Sequence, residues 1–483
     1  MTEFAFKSAG ELAQDIRERR IGCLELLEYF LARVEKFNPQ LNALIVQRTE
    51  AARARASAAD AALQRGETWG PLHGLPMTVK ESYDVAGLPT TWGAPALARN
   101  IAGSDAVVVA RLQGAGANIF GKTNVPLMLG DFQSYNEIYG TTNNPWDLRC
   151  GPGGSSGGGS AALAAGLVAL EAGSDIGGSI RNPPHFCGVY GHKPTWGIVP
   201  PRGHAPPGIL AQSDLAVVAP QARSAEDLAL ALDIMAGPDE LAAPGWRLEL
   251  PRPRQRALGD YRVAVWLDDA NATVDRRVGD RLQAVVEALA RAGAKIDDKA
   301  RPAFDAQRAF DLFRQLMLGV VTGRLPLAAF EQNLKAAKQL APGDRSQSAA
   351  TIRAATQYYR DWVAANEERQ HLRMRWHEFF QRYDVLICPI CTVPAFPHDH
   401  SDPGSRIQTV NGEPQPYWDQ LFWAGLATLV YLPATVAPAG PTPDGLPVGV
   451  QIIGPELGDH TTIDFARLLA REIGGFRPPP GYT

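Results

Sequence analysis

Three serines and one lysine could carry chemistry here. Ser155, Ser156 and Ser179 sit in glycine-rich runs, and Lys80 closes an apolar stretch, GLPMTVKE, at residues 74–81. Hydroxyls among glycines suit acyl transfer, in which backbone N–H groups receive an oxyanion while a hydroxyl attacks a carbonyl. A serine is a poor nucleophile until a base takes its proton. A lysine can be that base only where burial and nearby positive potential lower its pKa. Lys80, at the end of a short buried strand, suits that role. His185 and His192 keep a Ser-His-Asp arrangement open, although each also reads as a hydrogen-bonded structural histidine. Ser179, in Gly177-Gly178-Ser179-Ile180-Arg181, does not sit in a Gly-x-Ser-x-Gly elbow.

The elements that must hold these residues centre on residues 151–181, GPGGSSGGGSAALAAGLVALEAGSDIGGSIR. The Ala-rich run 161–170 predicts about three helical turns, with the first glycine loop at its N-terminus and a second loop at 175–179. Upstream, Ser8 and Glu11 form a capping-box pattern for a first helix. A second helix over 23–36 is expected to end at Asn38-Pro39. Strands are predicted at 42–47, 118–120, 261–267, 294–296, 384–388 and 446–453. Helices are predicted at 51–64, 105–114, 224–235, 274–293 and 461–473, with a helical pattern over 303–373 and a polar loop at 401–416. Strands alternating with helices predict an α/β layer architecture.

Two other motifs compete. Residues 116–123, GANIFGKT, satisfy the P-loop spacing, but a helix precedes the first glycine and Pro126 follows, so the strand and helix that motif requires are missing. Cys388 and Cys391 have C-x-x-C spacing without a second pair, and zinc would need two more ligands, for which His398 and His400 are the candidates at hand. A net charge of −4 from 47 basic and 51 acidic residues gives no nucleic-acid surface. The chain start lacks a basic and then apolar leader, and no apolar run approaches a membrane span. Five cysteines fit reduced thiols, so a cytoplasmic location is expected.

Taken together, GGSSGGGSAALAAG, GSDIGGSIRNP and GLPMTVKESYDV resemble the defining segments of the amidase signature hydrolases. GKTNVP, YGTTNNPWD, FCGVYGHKPTWG and GLPVGVQIIGP are similar to further blocks of that family, in the same order. The resemblance implies one α/β domain over residues 1–483, with a mixed β-sheet core flanked by helices on both faces and a variable helical region at about 260–375. It implies Ser179 as nucleophile, Ser155 as the bridging serine after a cis peptide bond, and Lys80 as base. The N–H groups of Ile176, Gly177, Gly178 and Ser179 would form the oxyanion hole, supported by Ser156, Asp175 and Arg181. No metal or organic cofactor is implied.

The expected activity is hydrolysis of a linear amide through an acyl-enzyme, with esters or carbamates as further substrates. The alternative is the glutaminase subunit of a tRNA-dependent amidotransferase. Asp175-Ile176 in place of Asp-Thr, and GHKPTWG in place of GLKPTYG, favour a stand-alone amidase. Aromatics from 127–150 and 417–431, foremost Tyr135, Trp418 and Phe422, are expected to line an apolar or aryl pocket. The expected partner is a small-molecule amide, with no nucleic acid and no membrane. A homodimer stays open.

Overall fold

The computed structural model describes residues 4–483, so the first three residues of the chain start read above lie outside the described residues. The strands, in chain order, are β1 (Leu44–Gln47), β2 (Pro76–Lys80), β3 (Asn118–Thr123), β4 (Tyr135–Asn136), β5 (Gly140–Thr141), β6 (Glu171–Asp175), β7 (Tyr190–Lys193) and β8 (Val217–Ala222). They continue with β9 (Arg262–Val265), β10 (Lys295–Asp297), β11 (Val385–Cys388), β12 (Ile407–Val410), β13 (Glu413–Pro416), β14 (Ala434–Pro441) and β15 (Pro447–Ile453). Eleven form one sheet in the order β1-β3-β2-β6-β8-β7-β14-β15-β11-β9-β10, while β4-β5 and β12-β13 are separate hairpins. The sheet is mixed: β2 runs parallel to β3 and β6, whereas β8, β7, β14 and β15 pair antiparallel in turn.

Every residue of β2, β3, β6, β7, β8, β11 and β15 is buried. Strands without a solvent-facing alternation belong to a sheet covered on both faces, here by helices. The architecture is the expected α/β one, and β9 and β10, from the region without family blocks, extend the same sheet.

Several boundaries differ from the sequence expectation. The second helix, Cys23–Leu41, runs through Pro39 and stops where Asn42 turns left-handed and donates its N–H to Asn38 O at 2.7 Å. Proline costs one hydrogen bond there, which the last turn tolerates. The central helix is Gly157–Ala164, not 161–170, so the glycines make its first turn. Their poor helix propensity is overridden by close packing. A Cβ on Gly158 would lie 2.4 Å from Asn124 N, and one on Gly159 2.6 Å from Glu171 Cγ. Leu167 to Leu170 instead lead into β6, and a second short helix, Asn182–Cys187, follows the second loop. The loop expected at 401–416 contains the β12-β13 hairpin.

Candidate active site

Parallel pairing of β2 with β6 places Thr78 opposite Glu171 and Val79 opposite Ala172, so the C-terminal ends of both strands meet. Lys80 ends the first and is fully buried; its Nζ lies 2.7 Å from Ser155 Oγ and 2.9 Å from Ser174 Oγ. Burial lowers its pKa to about 7, against the opposing pull of Asp175 and Glu171. Glu171 is itself pushed up to about 8 by burial, with the hydroxyls of Thr123 and Thr78 and the Lys80 charge offsetting part of the rise. Near neutral pH the lysine is therefore able to accept a proton. Ser174, unremarked in the sequence, is the second hydroxyl on the amine, and its place before Asp175 in the second loop was the available signal.

Ser155 follows a cis Gly154–Ser155 peptide bond. Ser156 ties this loop to β6: its Oγ lies 3.3 Å from Ser174 O and accepts from Ser174 N at 3.4 Å, while its N–H donates to Ser179 O at 3.3 Å. The second loop is braced from within. Asp175 accepts from Gly178 N at 2.9 Å, Ile180 N at 3.0 Å, and both Arg181 Nε at 3.0 Å and Nη2 at 2.9 Å. Burial would raise the Asp175 pKa, but the Arg181 guanidinium holds it below the usual carboxylate range. Arg181, also buried, spends its remaining donors on Ala424 O, Gln451 Oε1 and Thr428 Oγ1.

This brace changes the expected oxyanion cradle. The Gly178 N–H is already engaged by Asp175, whereas those of Ile176, Gly177 and Ser179 have no acceptor among the described residues. Three donors, not four, stay available around Ser179, whose hydroxyl is likewise without a hydrogen-bond partner among the described residues.

Ser155, Ser174, Asp175, Ile176 and Ser179 form the floor of a cavity of about 240 Å³. Its walls come from Trp92, Met128, Ile209, Leu210, Val320 and Val321, with His204 beside them. None of the three expected pocket aromatics lines it. Tyr135 stacks on His400 and accepts from Arg406 at 2.7 Å, Phe422 is buried against Phe310 and Trp266, and Trp418 packs on Phe132. Their size suits a core as well as a pocket, so residue type alone could not separate the two. Val320 and Val321 belong to the helix Ala306–Thr322, in the region whose role the sequence left blank.

The competing motifs have structural places. Residues 118–123 of the P-loop-like string are β3, and Lys122, fully buried, donates to Pro89 O and, at 3.1 Å, to Thr90 Oγ1. Glu81 accepts from Thr91 N at 2.5 Å and Trp92 N at 2.9 Å, so the two charges hold the turn that presents Trp92 to the cavity. Cys388 and Cys391 are buried, bonded to Gln451 and Gln420 respectively, and no group of three metal-ligating side chains occurs among the described residues. His185 lies between Gly449 and Val393, and His192 bonds Asp459 and Thr435, both away from the cavity lining. His204 Nε2 pairs with Ser82 Oγ at 2.8 Å, and burial lowers its pKa to about 3, leaving it neutral.

The site thus joins a buried lysine amine bonded to the Ser155 hydroxyl with a second serine hydroxyl, Ser179, and N–H groups that have no partner among the described residues. With a match to the family model described as Amidase over residues 25–463, the chain belongs to the amidase signature family, whose members are amidohydrolases acting on the C–N bonds of amides. It is 32% identical to a glutamyl-tRNA(Gln) amidotransferase subunit of Anaeromyxobacter dehalogenans, over 97% of each chain. It is 31% identical to an indoleacetamide hydrolase of Bradyrhizobium diazoefficiens, over 97% of this chain and 86% of that one. A solved structure described as a vestigial protein complex bearing on the evolutionary origins of an s-triazine catabolic enzyme superposes with a TM-score of 0.82 at 28% identity, over 98% of this chain and 100% of that chain.

Proposed function

We propose that this protein is a stand-alone amidase for small apolar or aryl carboxamides, with Ser179 as nucleophile and Ser155 and Lys80 as its proton relay. The observation that carries this reading is the 2.7 Å contact between the buried Lys80 Nζ and Ser155 Oγ at the floor of the cavity that Ser179 also lines. Neutral Lys80 takes a proton from Ser155 as Ser155 takes one from Ser179, and Ser179 Oγ attacks the amide carbonyl. The N–H groups of Ile176, Gly177 and Ser179 receive the oxyanion. The relay then returns the proton to the leaving nitrogen, and water releases the acid from the acyl-enzyme.

The glutaminase reading draws on the amidotransferase relative. The apolar walls of Met128, Ile209, Leu210, Val320 and Val321 favour a group with an apolar body over free glutamine, whose ammonium would meet no lining carboxylate but Asp175, already paired with Arg181. The test is hydrolysis of aryl and aliphatic amides by wild type and Ser179→Ala, with a fluorophosphonate label located by mass spectrometry. Turnover without glutamine or a partner, lost in Ser179→Ala, with the label on Ser179, is the expected result. Turnover only of glutamine, or a label elsewhere, overturns the reading.

A further inference from the structure

The cavity has an uneven distribution of charge. Its floor, Ser155, Ser174, Asp175 and Ser179, is at most 7% exposed, whereas Leu210 and Val321 at the other end are 80% and 58% exposed. The charged side chains among its lining residues are Asp175, Arg202 and Arg324. Asp175 is neutralised by Arg181 at 2.9 Å, and Arg202 by Asp239 at 2.9 Å and Glu240 at 3.1 Å. Arg324 is exposed, and no ion pair or hydrogen bond engages its guanidinium among the described residues. It stands directly after the helix that contributes Val320 and Val321 to the wall. A single uncompensated cation at the rim of a cleft with low-dielectric walls concentrates the field into that cleft and raises the local concentration of anions.

We infer that the substrate carries an anionic group, of carboxylate type, at the end remote from the scissile amide, and that Arg324 recognises it at the cavity mouth. The inference rests on the amidase reading of the floor. The substrate class is then an amide with an apolar middle and an acidic terminus, rather than a wholly neutral amide. Arginine presents a planar fork that matches a carboxylate, and the exposed setting makes the attraction sensitive to salt.

The experiment compares matched 4-nitroanilide and anilide pairs. Glutaric acid mono-4-nitroanilide is set against pentanoic acid 4-nitroanilide, placing the carboxylate on the acyl side. N-pentanoyl-4-aminobenzoate is set against N-pentanoylaniline, placing it on the amine side. For at least one pair, the carboxylate substrate should show a kcat/KM about tenfold higher, carried mainly by KM. Arg324→Gln should erase that advantage, Arg324→Lys should keep most of it, and 0.5 M NaCl should reduce it in wild type. Equal rates within both pairs, or a preference that survives Arg324→Gln, overturns the inference. A lowered thermal midpoint with unchanged selectivity also overturns it, because it assigns Arg324 to stabilising the helix C-terminus alone. Turnover of the neutral amides that depends on Ser179 keeps the amidase reading intact in those cases, whereas loss of all turnover together with no label on Ser179 would overturn that reading itself.

Discussion

In the proposed mechanism Lys80 serves as the base, and its setting suits that role because it is buried and the neighbouring carboxyls do not restore its full charge. With its pKa near 7, the neutral form grows as pH rises, so kcat/KM should climb through an acidic limb centred near pH 7. Glu171, at about 8, ionises as pH rises through the same range, and its growing negative charge holds protons on the lysine, which broadens that limb. Glu171→Gln removes a carboxyl that raises the Lys80 pKa, so the limb should steepen and its midpoint move to lower pH, as read in a pH profile of kcat/KM. Lys80→Met should lower kcat by about 10²- to 10⁴-fold, the usual contribution of a positioned base, with the protein still folded by circular dichroism. Arg181 belongs to a buried pair with Asp175. Arg181→Met would leave that carboxylate uncompensated, and a urea titration should register a loss of about 3–5 kcal/mol.

At the level of elements, the site is two loops laid across the C-terminal ends of β2 and β6, and hydrogen bonds from buried charged side chains to the backbone hold the second loop and the turn beside it. The turn carrying Trp92 illustrates this, since Glu81 holds its N–H groups and Lys122 its carbonyl. Lys122→Met keeps the volume but leaves the Pro89 carbonyl unbonded, a penalty of about 1–3 kcal/mol. It should raise KM for apolar amides several-fold while changing kcat little, as steady-state kinetics would show. These relations also mark how far the sequence could be read. That Lys80 meets Ser155, and that Ser155 shares a cavity with Ser179, was legible because glycine spacing and a strand-borne lysine are local signals. The Gly178 N–H was assigned to the oxyanion cradle because a motif gives no sign that a carboxylate three residues earlier turns back to take it. The start of the central helix at Gly157 was missed because glycine propensity argues against it, and only the long-range proximity of Asn124 and Glu171 explains it. Tyr135, Trp418 and Phe422 failed as pocket residues for a similar reason: which face of the fold an aromatic meets is decided by chain pairing far away in sequence.

The whole molecule is closed by contacts between its ends. Arg33, in the second helix, donates to Tyr482 O at 2.7 Å and to Ala165 O at 2.9 Å, while Phe37 packs on the Tyr482 ring. Deleting residues 476–483 should therefore lower the thermal midpoint by several degrees, with kcat at 25 °C largely kept, as measured by calorimetry and rates on the same preparation. The eleven-stranded sheet joins segments from Leu44 to Ile453, so one cooperative transition is expected of the intact chain. The five cysteines add an internal clock. All are buried, and burial lifts the thiols of Cys388 and Cys391 to about 12, far from the reactive thiolate form. A maleimide added to the native protein thus has no ready target, and each modification event records a moment when that part of the chain has opened. Labelling rates resolved by mass spectrometry would rank the segments around Cys23, Cys150, Cys187, Cys388 and Cys391 by how often each breathes, without any probe being engineered in.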